Sequence, residues 1–509
     1  MEILSSTSMG REPSIPKVKG TVDWLPTDHD RLVAIESCLL REFTLAGYDR
    51  LNTPVLEPVE LHERKSGAGI VGKLFEISGL SGPRVCLRPE LTAGVVRAYT
   101  QADPAPPLPW RVSHSGLAFR RDDTSRPGRL REFRQVGVER LGDSSIHADA
   151  ELMALAWSSL HATGVEDARI RIGHVGLILE MLGRSGLPPT AQASLVEMLS
   201  EAAAEGGDVG SVGRGLDHFA DWLRRAAGGE HLPLPAEGVD DSGVERLFRT
   251  LVPVIKGRRS GREILERLRR KWDQGHSWLD ALDRVRDRSR ALSELKGLPH
   301  LVIDRLATEF ERFAPDSIAS VRSLVEALQH FGIPVDRMDL DLGFGRGIGF
   351  YSQVVFEISA RTPKGMIEVC GGGRYDGLAQ VLGSDRDDGG AGFAFGLERL
   401  DSVLSAQGHR QPISSEVHFL VVPRDVSRLR LAVEAAGWIR SRGFRTTLEV
   451  DGASESLPDP FGPSGDAKNL ASGSPVGLVR VVRIGNFGRP ALSIEINRLE
   501  ELAFFVDRE

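Results

Sequence analysis

The 509-residue chain holds little that would tie it to a membrane, an oxidising compartment or a metal. Its three cysteines, Cys38, Cys86 and Cys370, are scattered without metal-ligand spacing. That excludes a disulfide framework and points to a reducing compartment. No apolar run approaches the roughly 20 residues that span a bilayer. The opening MEILSSTSMGREPSIP has no apolar signal core and reads as a disordered lead-in over residues 1–16, so the expected location is the cytoplasm. Excess positive charge is missing too. The formal net charge is −7, so any polyanion must be met by a local basic patch. Neither G-x-x-x-x-G-K-[ST] nor a well-placed G-x-G-x-x-G occurs, which removes support for a P-loop or Rossmann site. There is no internal repeat.

What is present is the composition of a soluble globular protein, with 41% hydrophobic and 27% charged residues. The length suggests about three domains. Helical apolar spacing runs from Arg31 to Gly47, and strands are expected over Asp49–Leu56 and Arg84–Arg88. A helix over Leu91–Tyr99, a charged hairpin and a helix over His147–Leu160 follow. From about Gly173 to Phe331 the pattern turns helical, as at Leu177–Gly186, Ala191–Ala204, Leu216–Ala227, Gly261–Trp272 and Ser317–Phe331. Strands resume at Met338–Leu342, Tyr351–Ile358 and Met366–Cys370, before a Gly-rich turn and a helix after Gly396. The pattern is that of an antiparallel α+β sheet interrupted by helices and then completed. After a polar linker, His418–Val422, Ser427–Arg442 and Phe444–Val450 read as strand, helix and strand of a small α/β unit. Gly477–Ile484, Leu492–Ile496 and a short closing helix complete it.

Five segments carry chemistry, the last two close together in sequence. SHSGLAFRRDDTSRPGRLREFRQVGVERLG places Arg120 and Asp122 on one strand and alternating polar side chains on the next. It suits an anionic ligand, or it is an ordinary salt-bridged hairpin. LRPELT, residues 87–92, puts Glu90 and Thr92 at a strand-to-helix boundary, where they can enter a pocket or cap the helix. GRGIGFY, residues 345–351, flanks a lone Arg346 with glycine, as in a bulged hairpin or a site of close backbone approach. Gly371–Gly372–Gly373 before Arg374 and Tyr375 is either a phosphate nest or a tight turn. GFAFGLERL, residues 392–400, ends by placing Arg399 at the start of a helix.

Together and in this order, the segments resemble the catalytic core of class II aminoacyl-tRNA synthetases, and within that class the histidyl-tRNA synthetase family. The likeness covers roughly residues 17–170 and 335–405. Residues 19–26, KGTVDWLP, look like the family's start, and residues 52–57, NTPVLE, are similar to motif 1, whose strand lies at a dimer interface. The charged hairpin is similar to motif 2 and residues 396–399, GLER, to motif 3. The Arg346 and Gly371–Gly377 segments resemble the two signatures of histidine-specific members.

The resemblance implies an α+β fold: a class II antiparallel sheet flanked by helices, with a helical insertion and a C-terminal α/β domain. Its divisions would be a catalytic core over 17–172, an insertion over 173–334, the completed core over 335–405 and an anticodon-binding-like domain over 416–509. It implies a homodimer that joins histidine to ATP and passes the acyl group to tRNA. Arg120, Arg346 and Arg399 would be catalytic. Arg120 would hold the α-phosphate and carboxylate, Arg399 the γ-phosphate, and Arg346 the charge at the reacting centre. Asp122, Arg129 and Phe133 would complete the ATP site, with Mg²⁺ bound through the phosphates. Glu90, Thr92 and Gln135 would receive the α-ammonium, Glu139 and Tyr351 the imidazole, and Tyr375 would line the pocket.

The chain departs from the pattern at Asp122, where most class II members have Glu, and at Gly349 and Phe350, where the family usually has Asp and Tyr. The motif 2 loop is slightly long. A basic run from Lys256 to Lys271 is either a tRNA acceptor-stem contact or a solvated helix face. Between Asp451 and Val479 the sole cation is Lys468, so the last domain lacks the expected basic helix. Two other readings are open. One is the regulatory subunit of ATP phosphoribosyltransferase, a paralogue that senses histidine without catalysis. The other is a histidine-activating enzyme that does not use tRNA.

Overall fold

The structure is a computed structural model. It describes residues 15–66, 68–79, 82–121, 130–187, 192, 196, 276–344, 351–386, 388–408, 418–423, 429–442, 445–448, 479–484 and 490–496. The chain forms two compact units, Met1–Leu25 with Leu32–His409, and Pro26–Arg31 with Arg410–Glu509. Asp122, Arg129, Arg346, the helices expected over 191–204, 216–227 and 261–272, the basic run and the closing helix lie outside the described residues, except for Gln192 and Val196.

Helix α1 (Pro26–Leu45) starts on a proline and buries Leu32, Ile35, Leu39, Leu40 and Phe43 at helical spacing. Gly47, at φ +83°, turns the chain out of it. Then come β1 (Asp49–Arg50), β2 (Leu56–Pro58), α2 (Val59–Ser66), β3 (Phe75–Ile77), β4 (Val85–Leu87) and α3 (Thr92–Gln101). The hairpin strands β5 (Trp110–Phe119) and β6 (Glu132–Leu141) lead to α4 (Ile146–Ala162), β7 (Ala168–His174) and α5 (Val175–Gly183). Further on lie α6 (His276–Glu294), β8 (Lys296–Gly297), α7 (Pro299–Phe310), α8 (Pro315–His330), β9 (Met338–Asp341), β10 (Val354–Thr362) and β11 (Gly365–Arg374). Helix α9 (Leu378–Val381), β12 (Gly390–Gly396) and α10 (Leu397–Ala406) close the unit.

Nine strands form one sheet in the order β1-β5-β6-β12-β11-β10-β7-β9-β8. The sheet is mixed rather than wholly antiparallel, because β1 pairs parallel with β5 and β7 parallel with β9. The single strand expected over Asp49–Leu56 is split between two sheets. Its middle carbonyls, those of Thr53 and Pro54, accept from the Arg88 guanidinium instead of from a neighbouring strand. The triple glycine is neither nest nor turn: Gly371–Gly373 are extended residues of β11, paired with β10 and β12. A Cβ on Gly372 would fall 2.3 Å from the Gly392 carbonyl oxygen. The turn comes later, at Gly377 with φ +81°.

Strand alternation gives the sheet two unlike faces. Val136, Val138, Phe393, Phe395, Phe356, Ile358, Ile170 and Ile172 are buried on one, in the same core as Leu39, Phe43, Met153, Leu324 and Leu400. Phe393 sets its ring edgewise to Phe43 at 5.6 Å and to Phe395 at 5.8 Å. Gly372 lies on this apolar face, opposite Phe356 and Phe393, whereas the other face carries polar side chains and Gly116, Gly373 and Gly392.

In the second unit β13 (His418–Pro423), α11 (Leu429–Ser441), β14 (Arg445–Leu448), β15 (Val479–Ile484) and β16 (Pro490–Ile496) follow the expected order. Its sheet runs β14-β13-β15-β16. Phe419, Val421, Ala432, Ala436 and Ile439 are buried there.

Candidate active site

On the polar face, β6 presents Phe133, Gln135, Gly137 and Glu139. The register sets Ala118, Gly116, His114 and Val112 of β5 opposite them on one side. On the other side stand Gly396 opposite Gln135, Ala394 opposite Gly137 and Gly392 opposite Glu139. Glycine here makes room for side chains. A Cβ on Gly392 would lie 1.8 Å from Glu139 Oε2, one on Gly390 2.4 Å from the Tyr375 ring, and one on Gly373 2.8 Å from the Tyr351 ring. One on Gly116 would strike the Arg88 guanidinium at 2.1 Å.

Glu139 is buried at the deep end. It accepts from the Tyr375 hydroxyl, and His114 Nε2 stands 3.3 Å from its Oε1. Burial, with the Glu139 charge added, pushes the Tyr375 hydroxyl well above its ordinary range, so it stays a donor. The amide oxygen of Gln135 and His114 Nδ1 are buried without a hydrogen-bond partner among the described residues. Both are groups that a ligand can satisfy.

Glu90 stands two residues before α3. Its carboxylate accepts from the Ala93 amide at 3.2 Å, capping the helix, and it faces the site. Lys65 Nζ lies 2.9 Å from its Oε2, and His62 Nδ1 lies 3.7 Å from its Oε1. Burial alone would raise this carboxyl, but Lys65, His62 and the Ala93 amide bring it down to about 2. Burial lowers His62 to about 4, outweighing Glu90, so the ring is neutral at pH 7. Thr92, the first residue of α3, is half-buried.

Arg120 donates from Nε to the Pro89 carbonyl at 2.8 Å, and its guanidinium lies 5.3 Å from the centre of the Phe133 ring. This ties the guanidinium to the backbone beside Glu90. Arg399 begins α10 and is 39% exposed, 3.3 Å from Glu368 Oε2. Its neighbour Glu398 points back, accepting from the Arg134 amide at 2.9 Å, and so ties α10 to β6. The structure therefore brings Glu90, Gln135, Glu139, Tyr351, Tyr375, Arg120 and Phe133 to one face and sets Arg399 on the helix that follows β12.

Arg374 has a different place. It is fully buried, 2.7 Å from Asp149 Oδ1 and 2.9 Å from Asp376 Oδ1, and holds β11 against α4. Arg97 grips the buried Glu57 with two donors, at 2.9 and 2.8 Å. Sequence reasoning missed His62, Lys65 and His114. The available signals were the three-residue spacing of His62 and Lys65, which puts both on one face of α2, and the even spacing of His114 to Gly116 along β5.

Comparisons with known proteins give the family. A histidyl-tRNA synthetase family profile matches residues 20–212 and 239–400. The chain is 27% identical over 441 residues to the histidine–tRNA ligase of Pyrococcus horikoshii, covering 86% of each. It is 31% identical over 437 residues to the ATP phosphoribosyltransferase regulatory subunit of Moorella thermoacetica, covering 86% of this chain and 92% of that one. The fold matches apo Staphylococcus aureus histidyl-tRNA synthetase with a TM-score of 0.57 at 20% identity, over 97% of this chain and all of the other. The matched span, which takes in most of the chain, places this chain in the histidyl-tRNA synthetase family.

Proposed function

We propose that the protein is a histidine–tRNA ligase, which activates histidine with ATP to histidyl-adenylate and transfers the acyl group to tRNA. The observation that carries this reading is the pairing, on one face, of the carboxylates Glu90 and Glu139 with Arg120 stacked by Phe133. A neutral imidazole offers one donor and one acceptor. Glu139 takes the donor and the Tyr351 hydroxyl answers the acceptor, while Tyr375 lines the pocket and holds Glu139, so analogues that lack either group leave buried partners unpaired. Gln135 and Glu90 receive the ammonium. The histidine carboxylate then attacks the α-phosphorus in line and pyrophosphate leaves. Both reactants are anions, so fixed cations (Arg120, Arg346 and Arg399) and positioning supply the catalysis. Mg²⁺ enters only as a companion of the ATP phosphates. No three His, Cys, Asp or Glu side chains among the described residues converge on a common point, and no step is assigned to the ion.

The Moorella relative favours a second reading, a histidine-sensing regulatory subunit without catalysis. Histidine-dependent ATP–pyrophosphate exchange decides between them. The ligase exchanges, and Arg346→Ala abolishes the exchange while the fold persists. Absence of exchange in pure wild-type protein would leave the regulatory reading. Charging of histidine tRNA then separates a ligase from an activating enzyme without tRNA, a distinction sharpened by Lys468 being the lone cation between Asp451 and Val479.

A further inference from the structure

Lys65 occupies the place a substrate ammonium is expected to take. Its side chain is 6% exposed, and it holds Glu90, itself 14% exposed, at 2.9 Å. His62, on the same face of α2, is buried with Nε2 unpartnered among the described residues. We infer that Lys65 makes the amino-acid site a zwitterion filter, in which an α-ammonium is admitted to Glu90 only when an α-carboxylate comes with it. The inference rests on Glu90 as the ammonium receiver.

The argument is one of charge in a water-poor site. Glu90 contributes one negative charge, Lys65 one positive charge and His62 none, so the cluster is neutral before any ligand arrives. Arg120 stands beside it, bonded to the Pro89 carbonyl, and its charge reaches His62. A bare amine would add an unbalanced cation to this group, and an uncompensated buried charge is costly. An amino acid brings its own counter-charge. Lysine has three donors on a flexible stem, so Lys65 can keep one on Glu90 and turn another to the arriving carboxylate. Arg120 supplies the opposite wall. A merely structural ion pair would affect stability and leave ligand selectivity alone.

Calorimetric titration of the full chain with histidine and with histamine, which lacks only the carboxylate, tests this. Wild type should bind histidine at least about a hundredfold more tightly than histamine. In Lys65→Met, Glu90 keeps the Ala93 amide but loses its counter-charge, so histamine gains and histidine loses. The ratio should fall by at least about tenfold, equivalent to about 1.4 kcal/mol. Lys65→Gln, which keeps a hydrogen bond to Glu90 without charge, should shift the ratio the same way and carries the test if the methionine variant does not fold. Lys65→Arg should restore wild-type selectivity. An unchanged ratio in Lys65→Gln, or equal weakening of both ligands, overturns the filter. Binding of neither ligand by wild type would overturn the amino-acid site itself, and the filter with it.

Discussion

Replacing His174 with leucine should leave stability nearly unchanged at pH 7.5 and raise it by about 2–3 kcal/mol at pH 4.5. His174 ends β7 and is 4% exposed, close against Gly176 and Ser317. Neither ring nitrogen finds a partner in another described residue. Burial lowers the ring from 6.5 to about 4, against the opposing pull of Glu180, whose carboxylate is engaged by the Ser317 amide. The unfolded chain therefore takes up this proton first as pH falls. The stability it contributes is complete above about 6.5 and is lost toward 4, with a slope approaching about 1.4 kcal/mol per pH unit. At neutral pH leucine removes two unsatisfied nitrogens but replaces a flat ring with a slightly bulkier branched chain in a packed site, and the two effects nearly offset. Urea unfolding followed by intrinsic fluorescence at pH 7.5, 6.0, 5.0 and 4.5 measures the effect. Parallel curves for wild type and variant across this range would refute the reasoning, as would a His174 ring that titrates near 6.5 by NMR.

Other sites give simpler expectations. Arg374→Met leaves the buried Asp149 without its counter-charge and removes one partner of the half-buried Asp376, and should cost about 3–5 kcal/mol, visible as a large drop in Tm. A fall comparable to that of a surface arginine would show that the network is not what holds β11 to α4. Gly392→Ala places a methyl 1.8 Å from Glu139 Oε2 and must displace that carboxylate. Its KM for histidine in pyrophosphate exchange should rise at least about tenfold, with a far smaller change in KM for ATP. Equal changes in both would detach Glu139 from the amino acid.

Much of the fold was legible because the same residues served local and global order. Leu32, Ile35, Leu39 and Phe43 lie on one stripe of α1, and Val136 and Val138 alternate with Gln135 and Glu139 along β6. Pro54 misled, since a proline-bearing segment with β-formers on both sides looks like one strand. What ended it was a guanidinium from Arg88, distant in sequence, which took the carbonyls a neighbouring strand would have used. The triple glycine misled in the opposite sense. Glycine usually marks a bend, yet at Gly372 it marks the close approach of β12. In the site, Glu139 and Tyr375 were found through the family likeness. His62 and Lys65 were not, because α2 reads VELHERKS, a polar helix, and only tertiary packing turns those two inward.

The two-faced sheet divides what substitution can do. On the side of Val136, Phe393 and Phe395 a change subtracts packing, and the cost falls on whether the chain folds at all. At Gly116, Gly373 and Gly392 on the other side every change adds atoms, and the cost falls on what can be held above the strands. A lineage can therefore lose its chemistry while keeping its architecture by filling that side one methyl at a time. Descent from an activating enzyme to a silent sensor would need no rearrangement of the backbone. The glycines of β11 and β12 are the places where that divergence would leave its first marks.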